Sequence, residues 1–194
     1  MHLIAIGANS GGSRAANLRA ATRAALWLAR RFGGALRLSP LYATPAWPPG
    51  SGPDFVNAAA ALRAPIGPEA LLRLLHRVEA RAGRVRAARW GPRTLDLDLI
   101  ASGGRVRPDA GTQAAWRRLP PETQRARAPD RLILPHPRMG ERAFVLIPLA
   151  HVAAGWRHPL TGRSVAAMAA ALPARRRREV RKLAAALPRG LVKP

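Results

Sequence analysis

Cysteine is absent from this 194-residue chain, which excludes disulfides, thiolate zinc sites and a cysteine nucleophile. Lysine stands only at Lys182 and Lys193, and there are only 10 acidic residues. Aromatic residues make up 5%, thin for a surface that stacks nucleic-acid bases. No apolar run reaches the ~20 residues that span a bilayer. The most apolar stretch, Ala143 to Trp156, is interrupted by Pro148 and His151. Met1 to Ile6 lacks a basic leader region and reads as a buried strand rather than a signal peptide. These absences lead us to expect a soluble, cytoplasmic protein with no membrane partner.

What is present in excess is arginine. Basic residues number 33 and the formal net charge is +23. Taken alone, that charge suggests a polyanion partner. Carried almost entirely by arginine in a chain heavy in Ala, Gly and Pro, it fits a biased coding composition equally well, and we expect no nucleic-acid partner. The 48% of apolar residues excludes a disordered chain, and the length gives one domain with a sizeable core.

Along the chain, Leu3 to Ile6 predicts a strand closed by the turn Gly7 to Gly12. No Gly-Lys-Ser/Thr follows those glycines, so a nucleotide P-loop is excluded. Ser13 can cap a helix whose stripe is Leu18, Ala21, Ala25, Leu28 and Phe32. Strands are expected over about Leu36 to Tyr42 and Asp54 to Leu62, then a helix opened by Pro68 with Leu71, Leu75 and Val78 inward. Thr94 to Ala101 is a further strand. This order predicts an α+β fold, a ferredoxin-like βαββαβ three-layer sandwich. Residues 103–131 lose the rhythm and read as an inserted surface loop with a short helix near Gln113 to Arg118. The domain is expected over 1–172. A basic tail follows over 173–194, a solvated helix end or disordered segment around Arg175 to Arg178.

The chemistry concentrates in Arg93-Thr94-Leu95-Asp96-Leu97-Asp98-Leu99. Strict alternation puts the leucines on one face of a strand and Asp96 and Asp98 on the other. Their carboxylates then lie ~6–7 Å apart, and at an effective dielectric of about 20 they repel by roughly 2–3 kcal/mol. An amphipathic strand with an acidic solvent face has the same pattern. The context favours a cation above the pair, because Arg84, Arg86, Arg89 and Arg93 immediately precede it. Hard oxygen donors without Cys or His favour Mg²⁺, and carboxylates for metal beside guanidiniums for phosphate suit phosphoryl transfer.

Gly83-Arg84-Val85-Arg86 and Arg89-Trp90-Gly91-Pro92-Arg93-Thr94-Leu95-Asp96-Leu97-Asp98 together resemble the signature of the 6-hydroxymethyl-7,8-dihydropterin pyrophosphokinase family of folate biosynthesis. Ile4 to Asn9, Leu41 to Pro45, Asp54 to Ala59 and Leu134 to Met139 with Arg142 to Phe144 resemble further family segments in the same order. The resemblance implies transfer of diphosphate from ATP, the co-substrate, to the pterin hydroxymethyl group, with release of AMP. It implies two Mg²⁺ ions on Asp96 and Asp98, and catalytic Arg84 and Arg93. The pterin would meet Thr44, Pro45, Phe55, Asn57 and Phe144. ATP would meet His76, Arg86, Arg89, Trp90, Arg131, Ile133, His136 and Arg142, with Glu79 in support. A monomer is expected. Three departures stand out: the loop at Ala87-Ala88 is one residue shorter than the family's usual length, His76 replaces a common amide, and Pro137 stands where some members carry an aromatic.

Overall fold

Burial on both faces of His2–Ala8 (β1) marks an inner strand of a sheet, Ile4 and Ile6 facing one side and Leu3 the other. The computed structural model describes residues 1–9, 12–45, 54–83 and 94–183. The remaining elements are Arg14–Phe32 (α1), Leu36–Leu38 (β2), Tyr42–Thr44 (β3), Phe55–Leu62 (β4), Pro68–Arg81 (α2) and Asp96–Ser102 (β5). Ala110–Arg118 (α3), Pro121–Ala126 (α4), Ala143–Ala153 (α5), Val165–Ala170 (α6), Ala174–Arg178 (α7) and Arg181–Lys182 (β6) complete them. The molecule is α+β: the sheet runs β5-β1-β4-β3-β6 with β2 also paired to β4, and every pairing is antiparallel.

Both faces of the sheet are covered. Ala21, Ala25 and Leu28 of α1 and Leu71 and Leu75 of α2 pack on Ile4, Ile6, Leu97 and Leu99. On the opposite face, Leu146 and Leu149 of α5 and Val165 of α6 pack on Leu3, Ala59 and Ala61. The Ser13 hydroxyl accepts the Ala16 N–H at 3.2 Å and starts α1, and Gly33, at φ 56°, ends it. That positive φ suits a residue without a Cβ.

The sequence-predicted strand over Leu36 to Tyr42 is instead two short strands. Pro40 has no N–H for a ladder, and the Ser39 hydroxyl substitutes for a ladder acceptor by taking the Ala59 N–H at 2.8 Å. Residues 103–131 carry the expected short helix as α3 and a second one, α4, so they are more ordered than a surface loop. Both Asp109 carboxylate oxygens accept from Thr112, its N–H and its hydroxyl, at 2.8 Å each, which caps α3. The basic tail also departs from a purely solvated end. Through Arg181 and Lys182 it adds a strand to β3, the Leu183 N–H donates to the Leu41 carbonyl at 2.8 Å, and Arg181 pairs with Asp54 at 3.5 Å. Among the described residues no helix is long and apolar enough to cross a membrane.

Candidate active site

Strand register brings one line of residues across the sheet: Tyr42 pairs with Asn57, Asn57 with Gly7, and Gly7 with Asp96. Directly paired residues share a face, and this face is the one α5 covers. Asp98 sits in the neighbouring row, paired with Ala5. Leu95, Leu97 and Leu99 belong to the opposite core, so Asp96 and Asp98 share the face that the alternation predicts. Asp98 is 38% exposed at its side chain, and its carboxylate lies 4.0 Å from the Arg142 guanidinium.

β5 is an edge strand, and α2 covers that edge. Glu79 is buried, and its Oε1 accepts the N–H of Leu97, the residue between the two aspartates, at 2.7 Å. Without that carboxylate a buried N–H would lose its partner, at a cost of about 1–3 kcal/mol. Glu79 therefore fixes the backbone from which Asp96 and Asp98 project. His76, one turn earlier on α2, borders the cleft described next.

A cleft of about 550 Å³ opens beside Asp98. His76, Arg131, Ile133, His136 and Arg142, all expected at a nucleotide, line it together with Asp98. Ile133 is buried, whereas Arg131 is exposed and makes a two-pronged pair with Asp130 at 3.1 and 3.0 Å. Arg138, Trp116, Arg127 and Leu72, to which the sequence assigns no functional role, also line the cleft, as does Leu99 of the strand's apolar face. For Arg138 the available signal was its place two residues after His136. Trp116 and Arg127 lay in a segment without periodicity and gave none.

His136 has a defined tautomer. Its Nδ1 accepts the Arg138 backbone N–H at 3.1 Å, so the neutral ring carries its proton on Nε2. Burial pushes its pKa down to about 3, with Arg142 and then Arg138 adding to the effect. Burial likewise lowers the Arg142 guanidinium from its ordinary value, while Asp98 opposes that shift. The sign for stability follows from linkage: a proton binds the unfolded chain more readily than the folded one. His136 should cost no stability above about pH 6.5 and a growing amount as the pH falls from there toward about 3. Thermal midpoints measured across that window should decline less steeply in His136→Asn than in the parent chain. Identical slopes would contradict the lowered pKa of this part-buried ring.

The residues expected at the pterin gather at the β3–β4 edge of the row. The Asn57 Nδ2 donates to Thr44 Oγ1 at 2.8 Å, with both residues buried. Thr44 pairs with Phe55, two residues from Asn57 on the same face of β4. Pro45 is exposed next to Thr44. Phe144, at the start of α5, is 39% exposed, and the Arg142 guanidinium lies 5.7 Å from its ring centroid. A Cβ on Gly7 would meet Asn57 Oδ1 at 3.3 Å and the Asp96 Cβ at 3.9 Å, so the glycine keeps space between amide and carboxylate. Arg84, Arg86, Arg89, Trp90 and Arg93, with the shortened loop, lie outside the described residues.

Asp96 and Asp98 fit a hard divalent cation: oxygen donors on one face, Asp98 part-exposed at the cleft, and, among the described residues, no neutralising partner closer than 4.0 Å for Asp98. Among the described residues no group of three or more His, Asp or Glu could form a closed cage. Mg²⁺ ordinarily takes one or two carboxylates and leaves its other positions to water and phosphate.

The two-sided antiparallel sheet thus carries, beside Asp98 of β5, a cleft lined by Arg127, Arg131, Arg138 and Arg142. The chain belongs to the 7,8-dihydro-6-hydroxymethylpterin-pyrophosphokinase family, whose model matches residues 3–154. It is 39% identical over 113 residues to a 2-amino-4-hydroxy-6-hydroxymethyldihydropteridine pyrophosphokinase of a Synechocystis species, covering 58% of this chain and 48% of that protein. A protein of the same name from Methylorubrum extorquens is 38% identical, covering 58% of each chain. Another from Pseudomonas aeruginosa is 40% identical over 136 residues, covering 70% of this chain and 71% of that one. The matches thus span about half the length of the first two relatives.

Proposed function

We propose that this protein transfers the β,γ-diphosphate of ATP to 6-hydroxymethyl-7,8-dihydropterin. The hydroxymethyl oxygen forms a bond to the β-phosphorus, the bond from that phosphorus to the α-phosphate oxygen breaks, and AMP leaves. The observation that carries the reading is the cleft that gathers Asp98 with five residues expected at the nucleotide, in a chain of this family.

Asp96 and Asp98 would hold two Mg²⁺ ions, which when bound supply charge neutralisation on the phosphates and acidify the attacking hydroxyl. Glu79 keeps the two carboxylates aimed together through the Leu97 N–H. His136, neutral across the physiological range, donates its Nε2–H to a phosphate oxygen. Arg142 supplies positive charge from a fixed position where low polarity strengthens it. Arg84 and Arg93 complete the clamp on the transferring group, and Arg86, Arg89 and Trp90 complete the nucleotide side. Thr44 and Pro45 form the rim of the pterin pocket, the Asn57 side chain reads the pterin edge, and Phe55 and Phe144 offer their rings to its faces.

The strand order supports the finer ferredoxin-like assignment: β5-β1-β4 followed by the β2 and β3 pair, with helices crossing between them. The same reading makes the protein a cytoplasmic monomer without a nucleic-acid partner. The test is product analysis with ATP, Mg²⁺ and the pterin. AMP and the pterin diphosphate should form in equal amounts, with no AMP when the pterin is omitted. ADP as the product, or no nucleotide turnover, would overturn the proposal.

A further inference from the structure

The segment 103–131 is fixed against the cleft by three contacts. The Arg107 and Leu134 backbones exchange hydrogen bonds of 2.9 and 3.1 Å. Arg107 also pairs with Glu69 of α2 at 3.5 Å. Gln113 of α3 is fully buried, and its Nε2 donates to the Pro135 carbonyl at 3.0 Å, immediately before His136. Trp116 follows Gln113 by three residues and so lies on the same side of α3. Its half-buried indole lines the cleft together with Leu72, Leu99 and Ile133.

Trp116 and Arg127 also line an adjoining notch of about 200 Å³. Trp116 thus contributes to the wall of both spaces. A cleft whose wall combines Asp98, His136 and Arg142 with Trp116, Leu72 and Ile133 suits a ligand that carries both a polyanionic part and a flat, apolar part. A nucleoside triphosphate has that form. We propose that Trp116 is a base-recognition residue, its indole packing against the nucleobase of ATP. This rests on the nucleotide reading above and extends it to a helix supplied by the 103–131 segment.

Titration calorimetry with Mg²⁺ and α,β-methylene-ATP tests it, with tripolyphosphate as a probe that lacks the base. Trp116→Leu keeps apolar bulk but no ring, and should weaken the nucleotide roughly tenfold, as expected for loss of base–aromatic stacking, while leaving tripolyphosphate binding unchanged. Trp116→Phe restores a ring and should bring nucleotide affinity back to within about twofold. Undiminished nucleotide binding in Trp116→Leu, with AMP production by the parent chain intact, would overturn this inference alone. An equal loss for both probes would also overturn it, because the side chain would then act on the shape of the whole cleft. Failure of the parent chain to bind the nucleotide would overturn both this inference and the nucleotide reading.

Discussion

Replacing Asp98 with asparagine is expected to lower turnover by about a thousandfold, the scale on which loss of one fixed electrostatic contact to a transition state registers. Asparagine keeps the size of the side chain and removes its charge, so the variant isolates electrostatics from packing. The fold should persist. The only described ion pair of Asp98 is 4.0 Å long and its side chain is 38% exposed, a geometry that contributes at most about 1 kcal/mol. Removing one of two like charges also relieves repulsion within the strand. Asp96→Asn should behave the same way, since both acids share the face. Steady-state rates alongside thermal midpoints check this. Retained activity in either variant would remove that acid from the metal site, and a collapsed midpoint would make it structural.

The second large effect is expected at Gly7, a residue with no functional group. It lies between Asn57 and Asp96 in the line across the sheet. Its φ is not positive, so its backbone tolerates a side chain, and what matters is the space a Cβ would fill. Gly7→Val should raise the KM for the pterin by roughly tenfold to a hundredfold, the range that a misplaced methyl or two commands in a fitted pocket. Gly7→Ala should fall between, because its Cβ at 3.3 Å from Asn57 Oδ1 needs a shift of only a few tenths of an ångström. The KM for ATP should stay within about twofold, since the nucleotide cleft does not include this residue. Equal losses for both substrates would mean that valine disturbs the sheet rather than the pocket.

Local patterns carried the core and the acids. The alternation from Leu95 to Leu99 is strict enough that one face had to be acidic, and the observed register places Asp96 and Asp98 on it. Ser13 followed by a helical stripe marked the start of α1 for the same kind of reason, a cap and a period read within a few residues. The resemblance to the family supplied the other half of the candidate site. His76 is far in sequence from Ile133 and His136, and nothing in its own neighbourhood says that it meets them around one cleft.

What stayed hidden depends on partners distant in sequence. β6 is two residues long, Arg181 and Lys182, and exists because β3 offers an open edge and Asp54 a counter-charge. No local pattern of two basic residues reports that. α3 lacks an apolar stripe, and what holds it is the Gln113 amide on the Pro135 carbonyl. A polar residue serving as the buried anchor leaves no hydrophobic period, so the short helix near Gln113 to Arg118 is legible in the sequence while the side it turns to the cleft, with Trp116, is not. The break at Ser39-Pro40 was legible in principle, because proline interrupts a ladder. The hydroxyl that repairs the ladder by taking the Ala59 N–H becomes visible only once β4 is in place.

The account turns on a divalent cation and a triphosphate meeting at Asp96 and Asp98. A crystal structure of the protein with Mn²⁺ in place of Mg²⁺, α,β-methylene-ATP and the pterin, phased to locate the manganese by its anomalous signal, tests that most directly. The expected result is two metal peaks within coordinating distance of both carboxylates, the phosphates lying between them and His136. Manganese found elsewhere with the nucleotide bound, or a nucleotide seated away from the two aspartates, would contradict it.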